Sequence, residues 1–184
     1  MLGYASPISC TRRQKLTQMK TAVALFILFF VTISNSFSQN SNFEEGLKAF
    51  DAKDFNKAFE LLKPYADNGN CTAQFVIGYA YQFGLSVEQN DTLAINWLKK
   101  SAEQKQPASM GPLAAVLFGN AGDNRENLVH AYMWAMLAAE YLESQRYKAT
   151  RYVIKGYLKE DELVTANKLI ERYKTNWKTK EDCL

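Results

Sequence analysis

Lys57-Ala58-Phe59, Leu61-Leu62 and Ala66 return 36 residues later as Leu93-Ala94-Ile95, Trp97-Leu98 and Ala102. They come back after a further 37 as His130-Ala131-Tyr132, Trp134-Ala135 and Ala139. Between the first two copies lies Ala73-Gln74-Phe75-Val76-Ile77-Gly78-Tyr79-Ala80-Tyr81, whose counterpart is Ser109-Met110-Gly111-Pro112-Leu113-Ala114-Ala115-Val116-Leu117. Each copy thus holds two apolar patterns with helical spacing. A period in the mid-thirties with two helices per copy is the signature of stacked helix pairs, because one pair alone cannot bury its apolar face. The expected fold class is all-α, an α/α solenoid of stacked antiparallel helix pairs with a C-terminal capping helix. No alternating run argues for a sheet.

Upstream of the first copy, Phe43 to Phe50 has apolar groups at spacings of three and four and reads as the second helix of a half-repeat. Asp51 to Asp54 forms a turn with Asp54 as N-cap. The helix from Phe55 to Asp67 carries Ala58, Leu61, Leu62, Tyr65 and Ala66, and Pro64 inside it predicts a bend or an early end. Asn68-Gly69 is the stop. Thr72 to Phe83 follows, with Gly78 in mid-helix. A small residue there, matched by Ala114, predicts a close helix crossing.

Asp91 is the expected cap of the next helix, which carries Leu93, Ala94, Trp97, Leu98 and Ala102. Pro107 suits the first position of the following helix, and Pro112 predicts a shortened or kinked one. Asp123 and Asn124 are capping candidates for Asn127 to Leu142. A further helix from Gln145 to Leu158 is expected to bury Ala149, Tyr152, Val153, Gly156 and Tyr157. The last helix, Glu160 to Tyr173, uses Leu163, Val164, Ala166, Leu169 and Ile170 behind an acidic first turn.

The repeat pattern resembles the Sel-one-like repeat proteins, relatives of the tetratricopeptide repeats. The family's Lys-Ala-x-x-Trp-x-x-Lys-Ala-Ala core is similar to Leu93-Ala94-Ile95-Asn96-Trp97-Leu98-Lys99-Lys100-Ser101-Ala102. Its Ala-x-Ala-Gln-x-x-Leu-Gly-x-x-Tyr-x-x-Gly helix and glycine-valine loop are similar to Thr72 through Val87, with Val87 as the apolar residue tucked under the next pair. Leu163 to Leu169 matches a terminal Leu-x-x-Ala-x-x-Leu helix seen in many bacterial members. The copy after Pro107 departs from the pattern, with Leu117 and Asn120 replacing tyrosine and glycine. The resemblance implies a binding or scaffolding role. Cysteine-rich members linked to penicillin binding carry paired cysteines in each repeat, and this chain lacks them.

The N-terminal fifth lies outside this rhythm. Met19-Lys20, an apolar run from Thr21 to Ile33 and the polar Ser34 to Gln39 form a signal-peptide pattern, too short to cross a membrane comfortably. The expected organisation is a doubtful extension over 1–18, a signal peptide over 19–39, a helical repeat domain over 43–176 and a loose tail over 177–184. Cleavage after Ser36, Ser38 or Gln39 fits equally, and a translation start at Met19 explains the surplus segment. The expected location is the periplasm or the exterior of a bacterial cell.

The whole chain carries 22 basic and 19 acidic residues. Four of the basic ones precede Gln39 and no acidic one does, so export leaves 18 against 19, a net charge of −1. Without a basic stripe, nucleic acid is not an expected partner. After cleavage Cys71 and Cys183 remain, and the sequence leaves open whether they pair.

No catalytic residue or cofactor stands out. His130 is the single histidine, which excludes the usual multi-histidine zinc sites, and its repeat position makes it a half-exposed helix residue. Glu140 and Glu143 read as a solvated face. Trp97 and Trp134 share one repeat position and are expected in the seam between helices. The partner-binding candidates are Tyr79, Gln82 and Phe83 on one helix and Tyr147, Arg151 and Lys155 on another, the last three spaced by four and so on one stripe. With Arg146 and Lys148 nearby, the stripe suits an acidic peptide or an envelope polymer; the plainer reading is a solvated helix face. The expected function is an exported repeat protein that mediates protein–protein interaction or scaffolding in the cell envelope and is not an enzyme. The alternative is a cell-wall hydrolase, which needs converging acids in a cleft.

Overall fold

Eight helices follow one another in the computed structural model, which describes residues 41–177. They are α1 (41–51), α2 (Phe55–Asp67), α3 (Cys71–Phe83), α4 (Asp91–Ala102), α5 (Pro107–Gly119), α6 (Arg125–Tyr141), α7 (Gln145–Lys155) and α8 (Glu160–Trp177). The expected extension over 1–18, the signal peptide over 19–39 and Cys183 lie outside the described residues. Phe43 onward forms one unit of the chain. Among the described residues there is no strand, and no helix is long and apolar enough to cross a membrane.

Polar side chains start the helices as the local sequence requires. Asp54 accepts from the Lys57 amide, Asn70 from Ala73, Asn90 from Leu93 and Asn124 from Asn127, each satisfying an amide the first turn leaves free. Asn90, not Asp91, is therefore the cap of α4; Asp91 is its first helical residue, where its charge suits the dipole. Both prolines are absorbed without a break. Pro64 lies in the last turn of α2, where its missing N–H frees only the carbonyl of the exposed Glu60, and Pro112 sits inside a continuous α5. Gly84 ends α3 in the left-handed conformation, φ 66°, that a glycine adopts without strain.

The repeat positions are the core. Ala58, Ala94 and Ala131 are buried, as are Leu62, Leu98 and Ala135, and Ala66, Ala102 and Ala139. On the other helices Ala73 and Ser109, Ile77 and Leu113, and Ala80 and Val116 are buried in register. Alanine at these seams lets helix backbones approach closely. Gly78 shows how closely: a Cβ there would stand 2.8 Å from Leu98 Cγ and 2.9 Å from Leu98 N, so α3 and α4 cross where only glycine fits.

α3 packs extensively on α4, and α5 on α6; α2–α3, α4–α5 and α6–α7 close the stack between them. α3 also touches α5, and α5 touches α7, so these three helices run side by side. At the N-terminal end Phe50 of α1 meets Phe75 and Tyr79 of α3, with ring centroids 5.9 and 5.7 Å apart. α1 thus takes the place of a preceding helix in that row. α8 packs on α6 as the expected cap: Trp134 lies against Tyr173 and Trp177, centroids 5.0 and 6.3 Å away. Trp177 is buried and donates its indole N–H to the Glu103 carbonyl at 3.1 Å. The folded part therefore includes Trp177, one residue beyond the expected boundary.

One expectation about burial holds in part and another fails. Trp97 packs against the core cluster of Leu62, Ala66 and Ile77, as its repeat position implied, but unlike Trp134 it stays partly exposed. Its ring carries instead the ammonium groups of Lys100 and Lys63, 4.6 and 5.2 Å from the centroid. On α7 the expected buried stripe is the exposed one. Ala149, Tyr152, Val153, Gly156 and Tyr157 all face outward, while Ile154 is the buried residue. Apolar spacing marks a face; it does not say whether a neighbour covers that face.

Candidate functional site

The row α3–α5–α7 gathers most of the sequence-selected residues. On α3, Phe75, Tyr79 and Phe83 are four apart, hence stacked along one stripe. Tyr79 lies 5.8 Å from Phe75 and 4.6 Å from Phe83, centroid to centroid. Phe50 continues the row at one end, and at the other Phe83 is 53% exposed. A large apolar ring left that open at the end of an ordered aromatic row is contact surface without a contact.

Gln82 crosses to α5, where its amide donates to the Pro112 carbonyl at 3.4 Å. Its Oε1 is buried without a hydrogen-bond partner among the described residues. Tyr147 reaches the same place from α7: a Cβ on Gly111 would lie 2.0 Å from Tyr147 Cε1, so the phenol ring rests on the glycine backbone. Gln82 and Tyr147, 65 positions apart in the chain, therefore both meet Gly111-Pro112. Tyr147 is half-buried and acts partly as packing. Arg151, one turn on, is also half-buried and lies 3.3 Å from Met136 Sδ, whereas Lys155 is exposed.

Where α3 and α5 end, Gln82 and Phe83 line an open groove of about 390 Å³ with Gln89, Asp91 and Asn120. Asn120 donates to Asp91 Oδ2 at 2.8 Å, tying the start of α4 to the end of α5. The groove has an aromatic wall, amide groups and one carboxylate. That inventory can hold an extended peptide through hydrogen bonds and apolar contact, and it lacks the converging acids that hydrolysis requires.

A second cleft, of about 320 Å³, is one that sequence reasoning missed. Glu103, His130, Arg172 and Tyr173 line it, together with Asn176 and Trp177. Its parts come from α6, α8 and the turn after α4, so spacing along the chain gave no signal beyond the single histidine. Tyr173 donates to Glu103 Oε1 at 3.3 Å; burial, with the Glu103 charge, pushes its hydroxyl up to about 12, so it stays protonated. Burial lowers the His130 pKa, against the opposing charge of Glu126 3.8 Å away. His130 is half-exposed, as its repeat position implied. Glu140 pairs with Lys174 at 2.6 Å, and Glu143 is exposed. Among the described residues no group of three His, Cys, Asp or Glu side chains could hold a metal ion.

Beside the helix row, a polar clasp fixes successive turns. The Ser101 hydroxyl donates to the Cys71 carbonyl at 2.6 Å and shares a hydrogen bond with Ser109, both serines being wholly buried. Gln104 donates to Gly69 O and to Gln74 Oε1, and Gln106 to Thr72 Oγ1. Cys71 is itself disulfide-bonded.

Residues 43–70 and 72–105 match the family model of the Sel1 repeat. Each segment spans two helices, α1–α2 and α3–α4. The family's unit therefore begins one helix earlier than the pairing read from the sequence, which took α1 as a half-repeat. The extensive packing within α3–α4 and α5–α6 agrees with the family's phase. Over 65 residues the chain is 34% identical to HRD3A of Arabidopsis thaliana, described as an ERAD-associated E3 ubiquitin-protein ligase component. The match covers 35% of this chain and 10% of that one. Among solved structures, a protective antigen present in uropathogenic Escherichia coli strains, described as displaying an SLR fold, superposes with a TM-score of 0.64 at 25% identity. That superposition covers 73% of this chain and 29% of the antigen, so this chain spans under a third of either relative. The chain has a Sel1-like repeat architecture of stacked helix pairs.

Proposed function

We propose that the protein is an exported scaffold that binds a protein or peptide along the α3–α5–α7 row. The observation that carries this reading is the aromatic row Phe50, Phe75, Tyr79 and Phe83, which ends in an exposed ring at the mouth of the groove beside Gln82. An ordered aromatic platform loses little conformational entropy on binding. Tyr147, Arg151 and Lys155 extend the same surface and add positive charge for an acidic stretch of the partner.

Export is supported by the apolar run after Met19 and by the disulfide at Cys71, a bond that persists in oxidising compartments. Cell fractionation with N-terminal sequencing of the recovered protein tests it. A product beginning at Phe37, Gln39 or Asn40 in the envelope or medium is expected, and an unprocessed chain in the cytoplasm refutes it.

The binding surface is tested by photo-crosslinking. A crosslinker at Phe83 should capture a discrete partner from envelope extract, whereas one at the exposed Glu60 of α2 should not. Equal capture from both positions refutes the assignment. Release of products from purified cell-wall material by the protein alone would instead favour the hydrolase reading.

A further inference from the structure

The outer face of α7 is an apolar stripe that no helix covers among the described residues. Ala149, Tyr152, Val153 and Gly156 are spaced by three and four and all are exposed, Tyr152 at 78% and Val153 at 52%. Both residues are too exposed to serve the core, and Tyr152 alone offers a large share of a ring's contact area. Single exposed apolar residues need no explanation; four on one helix face form a patch.

The stack itself says what belongs there. α3 is covered by α4 and α5 by α6, yet α7 is not covered in this way, because α8 packs on α6 and leaves the outer face of α7 open. Continuing the row places a helix on that face. Ala149 and Gly156, seven apart, are the small residues on either side of Tyr152 and Val153 along the stripe, so a helix can approach closely at both ends.

Charge then selects the helix. α7 has Arg146, Lys148, Arg151 and Lys155 and no acidic residue. Arg146, Lys148 and Lys155 border the stripe, and none of the three forms an ion pair among the described residues. Two copies meeting through α7 would set these cations against each other. Glu160 and Asp161 lie just past its C-terminal end and are exposed, so the positive field is confined to the length of α7.

We infer that the outer face of α7 docks an acidic amphipathic helix of another protein, which supplies in trans the next helix of the stack. The partner presents three or four apolar side chains on one face to Tyr152, Val153 and the small residues Ala149 and Gly156. Its flanking carboxylates face Arg146, Lys148 and Lys155. This surface shares Lys155 with the α3–α5–α7 row but is separate from the groove at Phe83, so either can fail without the other.

The test uses a labelled synthetic helix of about 18 residues, with leucine at spacings of three and four and glutamate on its flanks, and a counterpart with lysine in place of glutamate. Fluorescence anisotropy with the full chain should show binding of the glutamate peptide that weakens steeply with added salt, and no comparable binding of the lysine peptide. The double variant Tyr152→Ser/Val153→Ser, folded because both side chains are exposed, should weaken binding by about tenfold or more, equivalent to about 1.4 kcal/mol. Arg146→Gln/Lys148→Gln/Lys155→Gln should lower both affinity and salt dependence. A Phe83→Ser variant should bind the peptide unchanged.

Equal binding of the two peptides, or glutamate-peptide binding insensitive to the Tyr152/Val153 substitutions, overturns the inference. So does retention on phosphatidylglycerol vesicles, but not on the peptide, that is lost in the double variant; the face would then be a membrane contact. Dimerisation in sedimentation equilibrium that the double variant abolishes would show that a second copy is the occupant, with the same consequence.

Discussion

Trp134 and Trp97 occupy one repeat position, and the structure gives them different neighbours, so replacing each by alanine separates packing from periodicity. Trp134 is buried at 1% exposure and sits under Tyr173 and Trp177. An indole of that kind buries roughly 150–250 Å², which at about 25 cal/mol per Å² is roughly 4–6 kcal/mol. Measured tryptophan-to-alanine losses in cores, about 3–5 kcal/mol, set the expected value. Trp97 is buried over most of its surface but has no ring stacked on it, and its two lysine contacts are each worth about 0.5–1 kcal/mol at an exposed site. Its removal should cost less, about 2–3 kcal/mol. At about 3–5 °C per kcal/mol for a domain of this size, Trp134→Ala should lower Tm by about 10–20 °C and Trp97→Ala by about 6–12 °C. Because α8 rests on Trp134, Trp134→Ala should also release α8 first, seen as early hydrogen exchange between residues 160 and 177. Urea and thermal unfolding followed by far-UV circular dichroism give both numbers. Equal losses at the two positions, or a loss below about 1.5 kcal/mol at Trp134, would refute the packing argument.

Gly78→Val should cost about 1–3 kcal/mol by overpacking the α3–α4 crossing, against a neutral or stabilising change expected if Gly78 faced open space; urea unfolding decides. The Glu162 carboxyl is held at about 2, first by the Arg125 guanidinium, whose Nε lies 2.7 Å away, and then by the Lys159 amide. A folded pKa below the ordinary 4.5 means stability that is present above pH 4.5 and lost as pH falls from 4.5 toward 2. Glu162→Gln should flatten the urea midpoint in that window, and an unchanged pH profile would contradict the pairing. Reduction of the disulfide at Cys71, or Cys71→Ser, should lower stability by about 2–4 kcal/mol, read as a fall in Tm in dithiothreitol that the serine variant no longer shows.

The seam of the stack was legible because a close helix crossing admits few residue types. Ala58, Ala94 and Ala131 repeat for that reason, and Gly78 declares the tightest approach. Cover was not legible. Periodicity put Trp97 and Trp134 at one position, but only the second has α8 lying over it. On α7 the pattern pointed to Ala149, Tyr152 and Val153, whereas the chain buries Ile154 and lays the Tyr147 ring on Gly111, where the missing Cβ leaves room for it. Caps fell between neighbours of equal chemistry: Asn90 and Asp91 both suit the start of α4, and the hydrogen bond to the Leu93 amide decides it. Of the selected binding residues, Gln82 and Tyr147 meet at Gly111-Pro112, a meeting that no spacing announces. The cleft around His130 assembles from three distant segments and left no trace beyond one unusual residue.

The central claim is that neighbouring helices of the stack, within and between repeats, lie side by side at glycine-sized approaches. Nuclear Overhauser contacts in solution test it directly: the Gly78 α-protons should contact the Leu98 side chain. The Gly111 α-protons should contact the Tyr147 ring and be shifted strongly upfield by it. Both sets of contacts are predicted. Their absence in the folded protein, with both glycines at ordinary shifts, would contradict the stack.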